Sequence, residues 1–205
     1  MSDLDEVALW LQDAVTAGDR CILGISGAPG AGKSTVAAEL SQRMGNAPIV
    51  AMDGFHLANE HLVAVDLIHR KGAHYTFDAW GFVSLLRRIS AQGPDEVVYA
   101  PVFDRSIEDS IGSALPVALS DRLVIVEGNY LLLELPPWSA IRPLLTRCVY
   151  LDLDESVRLQ RLIDRHVEYG KTPEHARKHV AESDQVNARL IAASRHLADW
   201  LVPMQ

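Results

Sequence analysis

Gly27-Ala28-Pro29-Gly30-Ala31-Gly32-Lys33-Ser34 is the stretch that decides the fold of this chain. It matches the spacing G-x-x-x-x-G-K-[ST] in full. Glycines let the backbone curl until successive N–H groups point inward, a geometry that suits phosphate oxygens. A helix beginning at Lys33 brings its positive end to the same place. The Lys33 ammonium can then reach β- and γ-phosphates, and the Ser34 hydroxyl can ligate Mg²⁺. A random chain of this length matches the pattern about once in a hundred at ordinary residue usage. The context is also the required one. The apolar run Cys21-Ile22-Leu23-Gly24-Ile25 precedes the loop and reads as a strand, and Lys33 to about Met44 reads as a helix. ATP and Mg²⁺ are the expected ligands, held by Gly27 through Ser34 and the adjoining Thr35.

Outward from the loop, short apolar runs alternate with amphipathic segments, the pattern of an α/β protein. Leu4, Val7, Ala8, Leu11 and Val15 recur at helical spacing, predicting a first helix that ends near Gly18. Pro48 to Met52 reads as a second strand and Asp78 to about Ala91 as a helix. Val97-Val98-Tyr99 reads as a short strand. Residues 104–119 have no clear period and suit a hairpin or flap. Leu123 to Val126 and Arg147 to Asp152 are continuous apolar runs, as in strands covered on both faces. Asp154 suits the N-cap of a helix running to about Tyr169. Pro173 suits the first turn of another, running to about Ala193, and Trp200 to Pro203 suits a last strand. The expected architecture is a three-layer αβα domain of the P-loop NTPase type, with a mainly parallel sheet, occupying residues 1–205.

The totals agree. The chain has 205 residues, enough for one sizeable core and too few for two comfortable domains. A net charge of −8 argues against general nucleic-acid or anionic-membrane binding, since both need clustered Lys and Arg. No apolar run approaches the roughly 20 residues that span a bilayer. The acidic start lacks a signal-peptide charge pattern, so the cytoplasm is the expected location. The two cysteines, Cys21 and Cys148, sit in apolar runs and read as buried small hydrophobes.

Two acids follow strands. Asp53, in Met52-Asp53-Gly54-Phe55-His56, falls beyond the end of the second strand, where open α/β sheets bind ligands. A carboxylate there can accept the proton of an attacking hydroxyl, or orient Mg²⁺ and its waters. Glu127 ends the run Leu123 to Val126, a Walker B pattern with Glu in place of Asp, and is placed to hold Mg²⁺ through water. Arg158, Arg161 and Arg165 recur at three- and four-residue steps and are read as one basic face. As a lid over residues 154–175 they would stabilise the charge of phosphoryl transfer, with Arg161 and Arg165 the chosen pair. His56, Tyr75, Phe103 and Arg105 are candidate lining for an acceptor pocket, and Asn187 and Arg195 are candidates to approach adenine. The chain lacks a guanine-reading Asn-Lys-x-Asp motif and a transporter signature, and it has no room for a second motor domain. A small-metabolite kinase remains.

These residues also carry a family resemblance. Gly27–Ser34, Asp53-Gly54-Phe55-His56, Arg70-Lys71-Gly72 with Phe77-Asp78, Tyr99 to Asp104 and Val126-Glu127-Gly128 resemble the phosphoribulokinase/uridine kinase superfamily. The stretches Glu127-Gly128-Asn129-Tyr130-Leu131-Leu132-Leu133 and Arg165-His166 with Gly170-Lys171 are similar to bacterial fructose-transport-system and nucleoside/nucleotide kinases. The Arg70-Lys71-Gly72 region is similar to pantothenate kinase. The resemblance implies ATP-dependent phosphorylation of a hydroxyl on a small acceptor, whether nucleoside, sugar or pantothenate-like. It implies that Asp53 activates that hydroxyl, that Asp78 holds acceptor hydroxyls, and that copies of the chain pair. Glu108 departs from it: uridine kinases place a histidine there that reads the pyrimidine. Beside the kinase reading stand a non-catalytic ATP-binding regulator of sugar transport and a nucleotide-hydrolysing switch.

Overall fold

The computed structural model describes residues 3–16 and 20–204. In chain order the elements are α1 (Asp3–Thr16), β1 (Cys21–Gly27), α2 (Lys33–Arg43), β2 (Ile49–Ala51), α3 (Asn59–Ala64) and α4 (Ala79–Ser90). The hairpin strands β3 (Val98–Asp104) and β4 (Asp109–Val117) come next, then β5 (Leu123–Glu127) and β6 (Arg147–Leu153). The chain closes with α5 (Glu155–Glu168), α6 (Pro173–His179), α7 (Gln185–Ala193) and β7 (Trp200–Met204). The expected end of the first helix near Gly18 lies outside the described residues.

Five strands form one parallel sheet in the order β2-β5-β1-β6-β7. Both faces are covered, which is why β1 and β5 read as unbroken apolar runs: every residue in each is buried. Successive side chains of a strand point to opposite faces. Val124 and Val126 of β5 thus join the cluster built by Phe82, Leu86 and Ile89 of α4 together with Tyr130 and Trp138. Leu123 and Ile125 join the opposite cluster with Val7 and Leu11 of α1 and Val36 and Leu40 of α2. The sheet sits between two helical layers, as expected. Among the described residues no helix is long and apolar enough to cross a membrane.

Three local readings change. The strand read at Val97 to Tyr99 is longer and lies outside the main sheet. β3 pairs antiparallel with β4, so the unperiodic stretch after Asp104 is the return arm of a hairpin. The second strand stops at Ala51, and residues Met52–Phe55 form a 3₁₀ turn. That turn packs against the hairpin so closely that a Cβ on Gly54 would come within 2.5 Å of the Pro101 carbonyl oxygen. The long helix read from Pro173 is α6 and α7 joined by a π turn at Val180–Asp184.

Candidate active site

The loop after β1 takes the geometry its glycines permit. Gly30 has φ +84°, and a Cβ there would lie 2.9 Å from Leu162 Cγ and 3.1 Å from the Arg158 carbonyl oxygen, so α5 packs directly on the loop. Lys33 is buried, and its Nζ donates to the Gly27 and Ala28 carbonyls at 3.1 and 3.2 Å, folded back under the loop. Arg158 is buried too, donating from Nη1 to the Pro29 carbonyl at 3.2 Å and from Nη2 to the Gln185 side chain.

Sheet register brings the acids to this loop. Glu127, the last residue of β5, pairs with Ile25 of β1 on one side and Ala51 of β2 on the other. The phosphate loop and Asp53 therefore leave from strands adjacent to Glu127. Ser34 Oγ donates to Glu127 Oε1 at 2.9 Å. Asp53 stands in the 3₁₀ turn, and its Oδ2 accepts from Arg105 Nη2 at 3.0 Å across from the hairpin. His56 donates from Nδ1 to the Asp53 carbonyl at 2.8 Å, and its ring lies 4.0 Å from that of Phe77 and 5.0 Å from that of Phe103.

A cavity of about 320 Å³ joins these groups, with Lys33, Ser34, Asp53, Glu127, Arg105 and Arg165 on its wall. His56 and Phe103 line it as well, as do Glu108 and Asn187. A cleft of about 440 Å³ lies over the loop between Gly32, Thr35, Arg161 and Arg165. A third space, about 410 Å³, opens on the far side of the loop beside Ala28, Ala31, Arg158 and Arg195. Arg195 thus stands on that side, while Asn187 faces the Asp53 cavity and donates to the Gly72 carbonyl at 3.4 Å.

The basic helix face divides. Arg161 and Arg165 are exposed and overhang the loop, but Arg158 shares its buried side with Leu162. Sequence spacing alone put all three on one face; contact with the phosphate loop separates them. Asp78 caps α4, its Oδ1 accepting the Gly81 N–H at 2.8 Å, and Phe77 rather than Asp78 appears on the cavity wall. Tyr75 is likewise off that wall, its hydroxyl accepting from Arg70 Nε at 3.1 Å. The reading of isolated residues missed Lys71, His179, Asp184 and Asn129 on the wall. Lys71 and Asn129 lie in the stretches that carry the family resemblance, whereas His179 and Asp184 had no local signal of their own.

The electrostatics suit a phosphate with its metal ion. Burial pulls Lys33 below the ordinary lysine range, opposed chiefly by Glu127. Burial pushes Glu127 up, opposed chiefly by Lys33. A triphosphate would add negative charge beside the buried ammonium. The hard oxygen donors of Ser34 and Glu127, already 2.9 Å apart, form a fitting partial set for Mg²⁺.

Comparison with known proteins places the chain in a family. The model of the "Phosphoribulokinase / Uridine kinase family" matches residues 22–203. "Putative uridine kinase C227.14" of Schizosaccharomyces pombe is 37% identical over 184 residues, 84% of this chain and 78% of that protein. "ATP-dependent kinase-like protein notR'" of Aspergillus versicolor is 32% identical over 160 residues, 74% of this chain and 93% of that protein. A crystal structure described as a "putative fructose transport system kinase" from Silicibacter sp. TM1040 shares the fold at a TM-score of 0.85 and 34% identity, covering 95% of this chain and 97% of that one. With a match that runs from β1 to β7 and a nucleotide loop flanked by its two strand-end acids, this chain belongs to the phosphoribulokinase/uridine kinase family and is an ATP-dependent small-molecule kinase.

Proposed function

We propose that this kinase phosphorylates a hydroxyl of a nucleoside, sugar or pantothenate-like acceptor, with Asp53 as the catalytic base. One observation carries the reading: Lys33, Ser34, Glu127 and Asp53 share a single cavity, reached from three neighbouring strand ends. Lys33 turns from the loop carbonyls to the phosphates. Asp53, held by Arg105, accepts the acceptor's proton as its oxygen approaches the γ-phosphorus. A Mg²⁺ ion held by Ser34 and, through water, Glu127 would neutralise phosphate charge. Arg161 and Arg165 close over the transferring group and exclude water. The same reading treats residues 1–205 as one kinase domain with a lid over residues 154–175, working in the cytoplasm, bound to no nucleic acid or membrane, and pairing with a second copy.

The test is coupled ADP release from ATP-Mg²⁺ over a panel of hydroxylated metabolites. Acceptor-dependent release that Asp53→Asn abolishes supports the reading. Release independent of every acceptor, or turnover unaffected by Asp53→Asn, overturns it in favour of a hydrolysing or regulatory ATP-binding role.

A further inference from the structure

The Asp53 cavity contains two ammonium groups that neither the nucleotide loop nor the base requires. Its wall carries the carboxylates of Asp53, Glu108, Glu127 and Asp184. Asp53 accepts from Arg105, Glu127 from Ser34, and Asp184 Oδ2 lies 2.8 Å from His166 Nε2. Lys71 and Lys171 line the same wall, and their hydrogen bonds go to neutral groups, with Glu108 and Asp109 near Lys71 and Asp184 near Lys171. Lys71 Nζ donates to the Asn59 side-chain oxygen and to the Glu108 carbonyl, at 2.5 and 2.6 Å. Lys171 Nζ donates to His166 Nδ1 at 3.2 Å. An ammonium has three donors. Lys71 keeps one uncommitted and Lys171 two.

The lid builds a holder for Lys171. Because His166 Nδ1 accepts from the ammonium, its Nε2 bears the proton that Asp184 accepts. Asp184 is buried, and the π turn at Val180–Asp184 carries it to the imidazole. The chain Asp184–His166–Lys171 therefore fixes a cation on the lid side of the cavity. His166, His179 and Asp184 also bring their donor atoms within 4.8 Å of one another, a set that can hold a metal ion. A metal on His166 Nε2 would have to displace that proton beside the Lys171 ammonium and close to Arg165, so the cluster serves better as an anchor for Lys171. On the other side, Lys71 lies 5.0 Å from the centre of the Phe103 ring, within electrostatic reach of Asp53, Glu108 and Asp109 and of the Arg105 cation. Both ammonium groups are drawn down by partial burial, against the pull of the nearby carboxylates.

We infer that the acceptor is an anion: a hydroxylated molecule whose carboxylate or phosphate is received by Lys71 and Lys171 while its hydroxyl meets Asp53. The inference rests on the kinase reading above and adds the charge class of its substrate. Lys71 and Lys171 are then specificity-determining residues, and Asp184 and His166 position Lys171.

Matched acceptors test it with the full-length protein and ATP-Mg²⁺: glycerate against glycerol, pantothenate against its alcohol, and ribose 5-phosphate against ribose. The first two pairs test a carboxylate and the third a phosphate. The anionic member of at least one pair is expected to show a kcat/KM at least about tenfold above its neutral partner. Lys71→Gln and Lys171→Gln should each raise the acceptor KM about 10- to 100-fold, as for loss of a hydrogen bond to a charged group, with the KM for ATP within about threefold of wild type. His166→Leu should produce the Lys171→Gln effect and add nothing to it. Neutral members turned over as well as anionic ones overturn the inference and leave the kinase reading standing. So does an unchanged acceptor KM in both lysine variants, or a rise confined to the KM for ATP. No acceptor-dependent ADP release from these pairs or from the broader panel overturns both.

Discussion

Arg105 Nη2 donates to Asp53 Oδ2 at 3.0 Å, tying the tip of the β3–β4 hairpin to the turn after β2. The contact aims the carboxylate. Asp53→Asn is expected to lower kcat about 10²- to 10⁴-fold, the span of general-base catalysis, with ATP affinity unchanged by equilibrium titration. Arg105→Gln removes only the aim, and the half-exposed pair limits the loss to about tenfold. A double-mutant cycle distinguishes aim from a separate role: in an Asp53→Asn background the Arg105→Gln effect should vanish.

Arg158 and Arg161 separate folding from turnover. Arg158→Met keeps the stem but leaves the Pro29 carbonyl and the Gln185 side chain without their donor. Unfolding by denaturant should show a loss of about 1–3 kcal/mol, as for unsatisfied buried polar groups. ATP affinity should fall with it, because Pro29 belongs to the phosphate loop. Arg161→Met, on the exposed face, should leave stability within about 0.5 kcal/mol and lower kcat instead.

Neither cysteine should react in the folded protein. Both are buried, and burial pushes the Cys21 thiol up to about 11 and that of Cys148 up to about 12. At pH 8 both remain thiols, and only the thiolate is nucleophilic. Titration with a chromogenic disulfide should find no reactive thiol in the native protein and both after unfolding.

Stability should fall on mild acidification. Burial holds His56 and His74 below the ordinary histidine value. Below about pH 6.5 the unfolded chain takes up protons that the folded chain resists, so the unfolded state gains as pH falls. The stability present at pH 7 is therefore lost from about 6.5 downward, through the lowered folded values. His74→Gln lies off the cavity wall and should flatten this slope, measured as Tm against pH, with little effect on turnover at pH 7.5.

The amino-acid sequence by itself determined the phosphate loop, the parallel αβα plan and the two strand-end acids. These depend on local pattern: fixed glycine spacing, apolar runs of strand length, and an acid where a strand stops. It also located α5, whose Asp154 cap accepts from the Ser156 and Val157 amides as expected. Tertiary structure decided what local pattern does not encode. Helical spacing puts Arg158, Arg161 and Arg165 close together, but only contact with Pro29 makes the first a buried strut and leaves the others over the nucleotide site. Resemblance offered Asp78 to the acceptor, yet its carboxylate is engaged in capping α4. Lys71 and Lys171 are a hundred residues apart in the chain and meet one cavity only because the hairpin and the π turn bring their anchors to it. Periodicity reports which side of an element is apolar; which polar group it meets is settled by the packing of elements distant in sequence.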